Sequence, residues 1–215
     1  MKNETIMQKE EREIQGTMNF GYNDEKKSVF RTIIEEWPIL VIEIVGALLL
    51  AFLIATFGME KVQMPGNSMD PILQEGDTIL VNKMAYLLFS PRRNDVIVFR
   101  QDGKEHSYNS IKRVIGLPGE KIQIKDGAVY IDGERYEEKN SVDTMITAGV
   151  AEEEITLESG EYFVLGDNRN QSEDSRYSSV GMITKKEITG KAWIRTSPKF
   201  GFVSWLTYND KKEER

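Results

Sequence analysis

Three short stretches of this chain gather the side chains best suited to chemistry. The first, Pro65-Gly66-Asn67-Ser68-Met69-Asp70-Pro71, holds a serine in a turn bounded by glycine and two prolines. Such a turn constrains the backbone and exposes the Ser68 hydroxyl, as a nucleophile requires. It is not a nucleophile elbow of the G-x-S-x-G kind, because Asp70 stands where that turn needs glycine. Taken alone, the stretch reads better as a structural turn. The second runs from Ser110 to Glu120 and sets Lys112 in an apolar, strand-like segment that closes in an L-P-G-E turn. Burial disfavours an ammonium ion, and lowering a lysine from about 10.4 to about 8 takes roughly 3 kcal/mol. A lysine tuned in this way can serve as a general base. A strand-edge lysine pointing to water fits the same residues equally well. The third, Gly166 to Tyr177, is dense in hydrogen-bonding side chains and almost free of apolar ones. It reads as a solvated loop, or as a rigid polar floor built from bidentate carboxylate–guanidinium pairs.

The rest of the composition narrows the chemistry. The 215 residues carry a formal net charge of −7, no cysteine and one histidine. An acidic chain with no visible basic face is a poor nucleic-acid binder. Without cysteine there are no disulfides, thiolate metal sites or cysteine nucleophiles. The single His106 lies in the polar turn D-G-K-E-H-S and reads as a surface imidazole, so histidine-rich metal sites are excluded and no metal is expected. A hydrolase built on this chain needs a base other than histidine.

These stretches must be positioned by the elements around them. Pro38 to Phe57 is an apolar run of 20 residues broken only by Glu43, and as a helix it spans roughly 30 Å, the thickness of a bilayer's hydrocarbon core. Lys26, Lys27 and Arg31 precede the run while Lys61 alone closely follows it. The positive-inside rule then keeps residues 1–37 in the cytoplasm and sends residues 58–215 outside. Glu43, in the first turns of the span, is placed at the inner interface. Beyond Gly58 the pattern becomes β. Asp77–Asn82, Asp95–Arg100, Ile122–Ile124, Ala128–Ile131, Tyr162–Leu165 and Ile188–Ile194 read as strands. Asp126-Gly127 and Asp132-Gly133 mark tight turns. Glu137 to Gly160 is acidic and reads as an exposed excursion. Met84–Pro91 and Phe200–Tyr208 are short apolar stretches that suit either the core or a membrane-facing patch.

Taken together, the G-x-S-M-x-P, K-R-x-x-G-x-P-G-[DE] and G-D-N-x-x-x-S-x-D-S-R elements, in that order behind an apolar span, resemble bacterial type I signal peptidase. The resemblance covers about Trp37 to Phe202 and is strongest to the Gram-positive members. It implies a mainly β, barrel- or sandwich-like catalytic domain behind one transmembrane helix, and removal of signal peptides from exported preproteins without a cofactor. It makes Ser68 the acylating nucleophile and Lys112 the general base, with the Ser68 N–H in the oxyanion hole. Ser172 would orient the Lys112 amine, while Arg113 with Asp167, and Asp174 with Arg176, would brace the site. Substrate would dock as an added strand beside Gly66–Met69, touching Asn67 and Met69. The implied partners are signal-peptide-bearing preproteins, the lipid bilayer and the export translocon. Three positions depart from the pattern. Gly66 replaces a serine that assists the oxyanion in some members, Ile72 replaces a small residue or threonine, and Ser110 stands where an aromatic residue often precedes the lysine. The rival reading is a non-catalytic membrane homologue acting in assembly.

Overall fold

The computed structural model describes residues 11–12, 37–52, 56, 58–87, 89–100, 109–138 and 143–204. The chain divides into two units, Met1–Ala55 and Thr56–Arg215. In the first, residues 37–52 are helical and exposed on every side, including Trp37, Ile42, Leu48 and Phe52. Among the described residues no helix is long and apolar enough to cross a membrane. Residues 53–55 and 57 of the expected span lie outside the described residues, as do most of the expected cytoplasmic tail and His106.

The second unit is built from short strands. In chain order they are β1 (Met59–Gln63), β2 (Thr78–Asn82), β3 (Val96–Phe99), β4 (Ser110–Gly116), β5 (Lys121–Lys125) and β6 (Ala128–Ile131). β7 (Glu134–Arg135), β8 (Ile155–Thr156), β9 (Glu161–Leu165), β10 (Ile183–Thr184), β11 (Ile188–Ser197) and β12 (Gly201–Phe202) follow. Among the described residues they form a larger sheet in the order β1-β2-β11-β3-β4-β9-β10, with β12 on β11, and a smaller one ordered β7-β6-β5-β8. The mainly β expectation holds. Both Asp-Gly pairs close two-residue hairpins, β5–β6 and β6–β7. Positive φ at Asp126, Gly127, Asp132 and Gly133 gives the turn twist that matches the strands.

Two expectations are revised. Glu137–Gly160 is not simply an exposed excursion. Met145, Ala151 and Leu157 are buried with Ile122, Ile124, Phe163 and Leu165, and β8 pairs with β5. The acidic residues between those three face outward, and the apolar ones anchor the segment. The stretch after β2 is divided: Tyr86 is buried and its hydroxyl donates to Asp95 Oδ2 at 3.0 Å, while Met84, Leu87 and Phe89 are exposed. Likewise Val203 is buried and Phe200 exposed, and residues 205–208 lie outside the described residues.

Candidate active site

Ser68 sits in the connection from β1 to β2, and β1 is four strand spacings from β4 in the sheet order, with β2, β11 and β3 between them. In a flat sheet that separation is roughly 19 Å. The curl of the sheet and the inward packing of the connection close the gap. Met69, Ile72 and Leu73 are fully buried in one cluster with Val62, Ile79, Val81, Val98 and Ile111. Leu73 N–H donates to Met69 C=O at 3.0 Å, tightening the turn that carries the serine. Ser68 is therefore held by its neighbour's side chain and is itself half-buried.

This corrects the expectation for Met69. Its side chain is in the core, at 0 % exposure, so it cannot touch a substrate; only its main chain can. Ile72 is buried in the same cluster, so the departure there alters core packing rather than a pocket wall. Ser110 opens β4 and is half-buried. Gly66 adopts φ +112°, a conformation a serine would hold only under strain, although nothing crowds the space where a Cβ would stand.

β4 is an interior strand between β3 and β9, and Ile111 to Gly116 are all buried. Successive side chains alternate faces. Lys112 projects toward Ser68, and its Nζ donates to Ser68 Oγ at 2.7 Å. Arg113 projects the other way, its Nε and Nη2 donating to Asp167 Oδ1 and Oδ2 at 2.7 and 2.6 Å and its Nη1 to Asn94 C=O at 3.0 Å. Lys112 is 7 % exposed, which decides between a buried base and a strand-edge lysine. Burial pulls its pKa down to about 8; Asp174, Glu173 and Asp167 pull it up, and Arg176 adds to the lowering. An amine at that value is half neutral near pH 8, and a neutral amine can accept the serine proton across the same short distance.

The polar segment after β9 is a buried, paired network rather than a solvated loop. Arg176, at 1 % exposure, donates from Nε and Nη2 to Asp174 Oδ1 and Oδ2 at 2.8 and 2.9 Å. It also reaches Arg169 C=O at 2.5 Å and Thr147 C=O at 3.2 Å. Asp174 Oδ2 accepts the Gly166 N–H at 3.1 Å. Buried charges survive only when paired, and here each guanidinium meets a carboxylate. The pair Arg169–Glu138 is not legible in the sequence, because the partners lie 31 residues apart across an acidic, irregular segment.

This network also carries the serine turn. Asn168 N–H donates to Ser68 C=O at 3.0 Å, and Asn168 Nδ2 to Asn67 C=O at 3.2 Å. At Gly166 the serine turn lies close by: a Cβ there would lie 2.2 Å from Ser172 Oγ and 2.5 Å from Ser68 C=O. The expected hydrogen bond from Ser172 to the Lys112 amine is not formed. Ser172 Oγ packs against Gly166 and, among the described residues, is buried with no partner. Among the described residues there is also no cluster of acidic and histidine side chains able to hold a metal ion.

In sequence the chain resembles known peptidases over most of its length. Residues 37–196 match the family described as "Signal peptidase, peptidase S26". Signal peptidase I of Bacillus licheniformis is 35% identical over 176 residues, covering 78% of this chain and 90% of its own length. Signal peptidase I of Pseudomonas aeruginosa is 31% identical over 211 residues, covering 77% of this chain and 71% of its own. A solved signal peptidase I from Enterococcus faecalis V583 aligns with 47% of this chain and 96% of its own, at 32% identity and a TM-score of 0.37.

Proposed function

The chain belongs to the signal peptidase family, peptidase S26, and on that premise we propose that it cuts signal peptides from exported preproteins by a Ser68–Lys112 acyl-enzyme mechanism. The observation that carries the reading is the 2.7 Å contact between Lys112 Nζ and Ser68 Oγ, made by a lysine whose pKa burial brings down to about 8. The neutral amine takes the hydroxyl proton as Oγ attacks the scissile carbonyl. The resulting ammonium protonates the departing amine, leaving an ester on Ser68. The amine, neutral again, then activates a water that hydrolyses the ester.

Charge develops on the carbonyl oxygen in both steps. The Ser68 N–H donates to no acceptor among the described residues, which supports its place in the oxyanion hole. Gly66 brings no hydroxyl to that site, so backbone donors carry it. Ser172 makes no bond to the Lys112 amine, and its side chain instead fills the space beside Gly166. The ion pairs Arg113–Asp167 and Asp174–Arg176 fix β4 and the Gly166 segment on which the two reacting atoms depend.

The substrate is an extended preprotein segment with small residues at −1 and −3 from the cut, docking beside Gly66–Met69. The apolar helix at 37–52 supports a membrane anchor, with the N-terminal tail in the cytoplasm and the β domain outside. The chain enters the β unit where Lys83 N–H donates to Gly58 C=O at 2.8 Å, and exposed Met84, Leu87 and Phe89 follow at once. That placement suits contact with lipid. Preproteins leaving the export translocon arrive at the same surface. The test is cleavage of a model preprotein with an A-x-A site by detergent-solubilised protein and by Ser68→Ala. Cutting after the second small residue by the unaltered protein alone supports the reading. Failure of both, while another signal peptidase cuts the same substrate, refutes it.

A further inference from the structure

Next to the reacting pair lies an amide contact that the mechanism leaves unused. Asn67, immediately before Ser68, donates from Nδ2 to Gln171 Oε1 at 2.7 Å, and both side chains are exposed. Stapling the two segments together does not require this bond. Asn168 already does so through Ser68 C=O and Asn67 C=O, at 3.0 and 3.2 Å. The bond does fix the orientation of two amides, each of which spends one end on the other. The opposite ends, Asn67 Oδ1 and Gln171 Nε2, have no partner among the described residues. One is an acceptor and the other a donor. This is the complement of the N–H and C=O along one edge of an extended peptide.

Resting on the peptidase reading above, we propose that Asn67 and Gln171 form a substrate-positioning amide pair that hydrogen-bonds the main chain of the bound preprotein beside the scissile bond. The distances restrict where. Adjacent Cα atoms are about 3.8 Å apart, and an extended peptide rises about 3.3 Å per residue. A group on Asn67 therefore meets the substrate within one or two residues of the bond that Ser68 attacks. Because it binds main chain, the pair favours extended substrate without selecting a side chain, which fits a protease acting on many preproteins. Each amide orients the other, so losing either side chain weakens the grip of both.

The test uses the full chain in detergent and a set of synthetic peptides carrying an A-x-A site, each with one flanking backbone amide replaced by an ester. An ester removes the N–H that Asn67 Oδ1 accepts. The unaltered protein is expected to lose roughly 5- to 10-fold in kcat/KM at one ester position, the scale of one neutral hydrogen bond. In Asn67→Ala that same ester is expected to change kcat/KM less than about 2-fold, and Gln171→Ala to behave alike. On the all-amide peptide the two single variants and the double variant are expected to lose similar amounts, mainly through KM. Equal ester penalties in all the proteins, or losses in the two variants that multiply independently, overturn the pair while leaving the peptidase intact. Cleavage of no peptide by the unaltered protein overturns the peptidase reading and the pair with it.

Discussion

Replacing Lys112 with methionine is expected to abolish activity and, at neutral pH, to make the protein more stable. Methionine keeps the unbranched shape of the lysine stem without its charge. In the folded protein burial lowers the lysine pKa from 10.5 to about 8. Unfolded, it returns to its ordinary value. Below pH 8 the lysine is protonated in both states, and holding that charge in the fold costs about 3 kcal/mol, from roughly 1.4 kcal/mol for each tenfold in proton affinity. Between pH 8 and pH 10.5 the unfolded chain binds a proton that the folded one does not. Stability of the unaltered protein therefore rises with pH in that window, by about 1.4 kcal/mol per pH unit, and levels off above it. Lys112→Met lacks this contribution. The difference in stability between the two proteins, measured by urea unfolding in detergent from pH 6 to pH 11, should favour the variant at the acid end and shrink by about 3 kcal/mol at the alkaline end. Activity of the unaltered protein reports the same proton with the opposite emphasis. Because the neutral amine is the reactive form, kcat/KM should rise about tenfold per pH unit below 8 and flatten above it. A stability difference that does not change with pH would refute the argument, and so would an activity plateau set near pH 10.

Two further outcomes follow from the contacts around the pair. Gly166→Ala places a Cβ 2.2 Å from Ser172 Oγ and 2.5 Å from Ser68 C=O; displacing the serine turn by this much should lower kcat about 100-fold, read by peptide hydrolysis with folding checked by circular dichroism. Glu173→Gln removes an exposed carboxylate that raises the Lys112 pKa, so the midpoint of the pH–rate profile should move to lower pH with little change in stability; a midpoint that stays or moves up contradicts the electrostatic account.

Local rules carried a good deal of the fold into view. Asp126-Gly127 and Asp132-Gly133 announce their hairpins because φ > 0 at two successive residues is chemistry that few other pairs support. The alternation in Ile122–Ile124 and the Val- and Ile-rich runs at β2 and β3 mark strands for equally local reasons. Ser68 and Lys112 stood out as candidates, but the burial of Lys112 could not be read from its neighbours. It depends on β3 and β9 flanking β4, and so on the order of the whole sheet. Met69 shows the same limit. A methionine beside a nucleophile reads as a substrate contact until the connection is seen to turn inward on Met69, Ile72 and Leu73. Glu137–Gly160 reads as exposed because its carboxylates dominate the composition, while three well-spaced apolar residues decide where it packs. The amide pair Asn67–Gln171 joins residues 104 positions apart, and no spacing rule reaches that far.

The most direct measurement is mass spectrometry of the full-length protein after treatment with a mechanism-based acylating inhibitor. A single adduct on Ser68, formed faster as pH rises through about 8 and absent from Lys112→Met, is the expected result. An adduct on any other residue, or labelling of Ser68 at an undiminished rate in Lys112→Met, would contradict the Ser68–Lys112 mechanism.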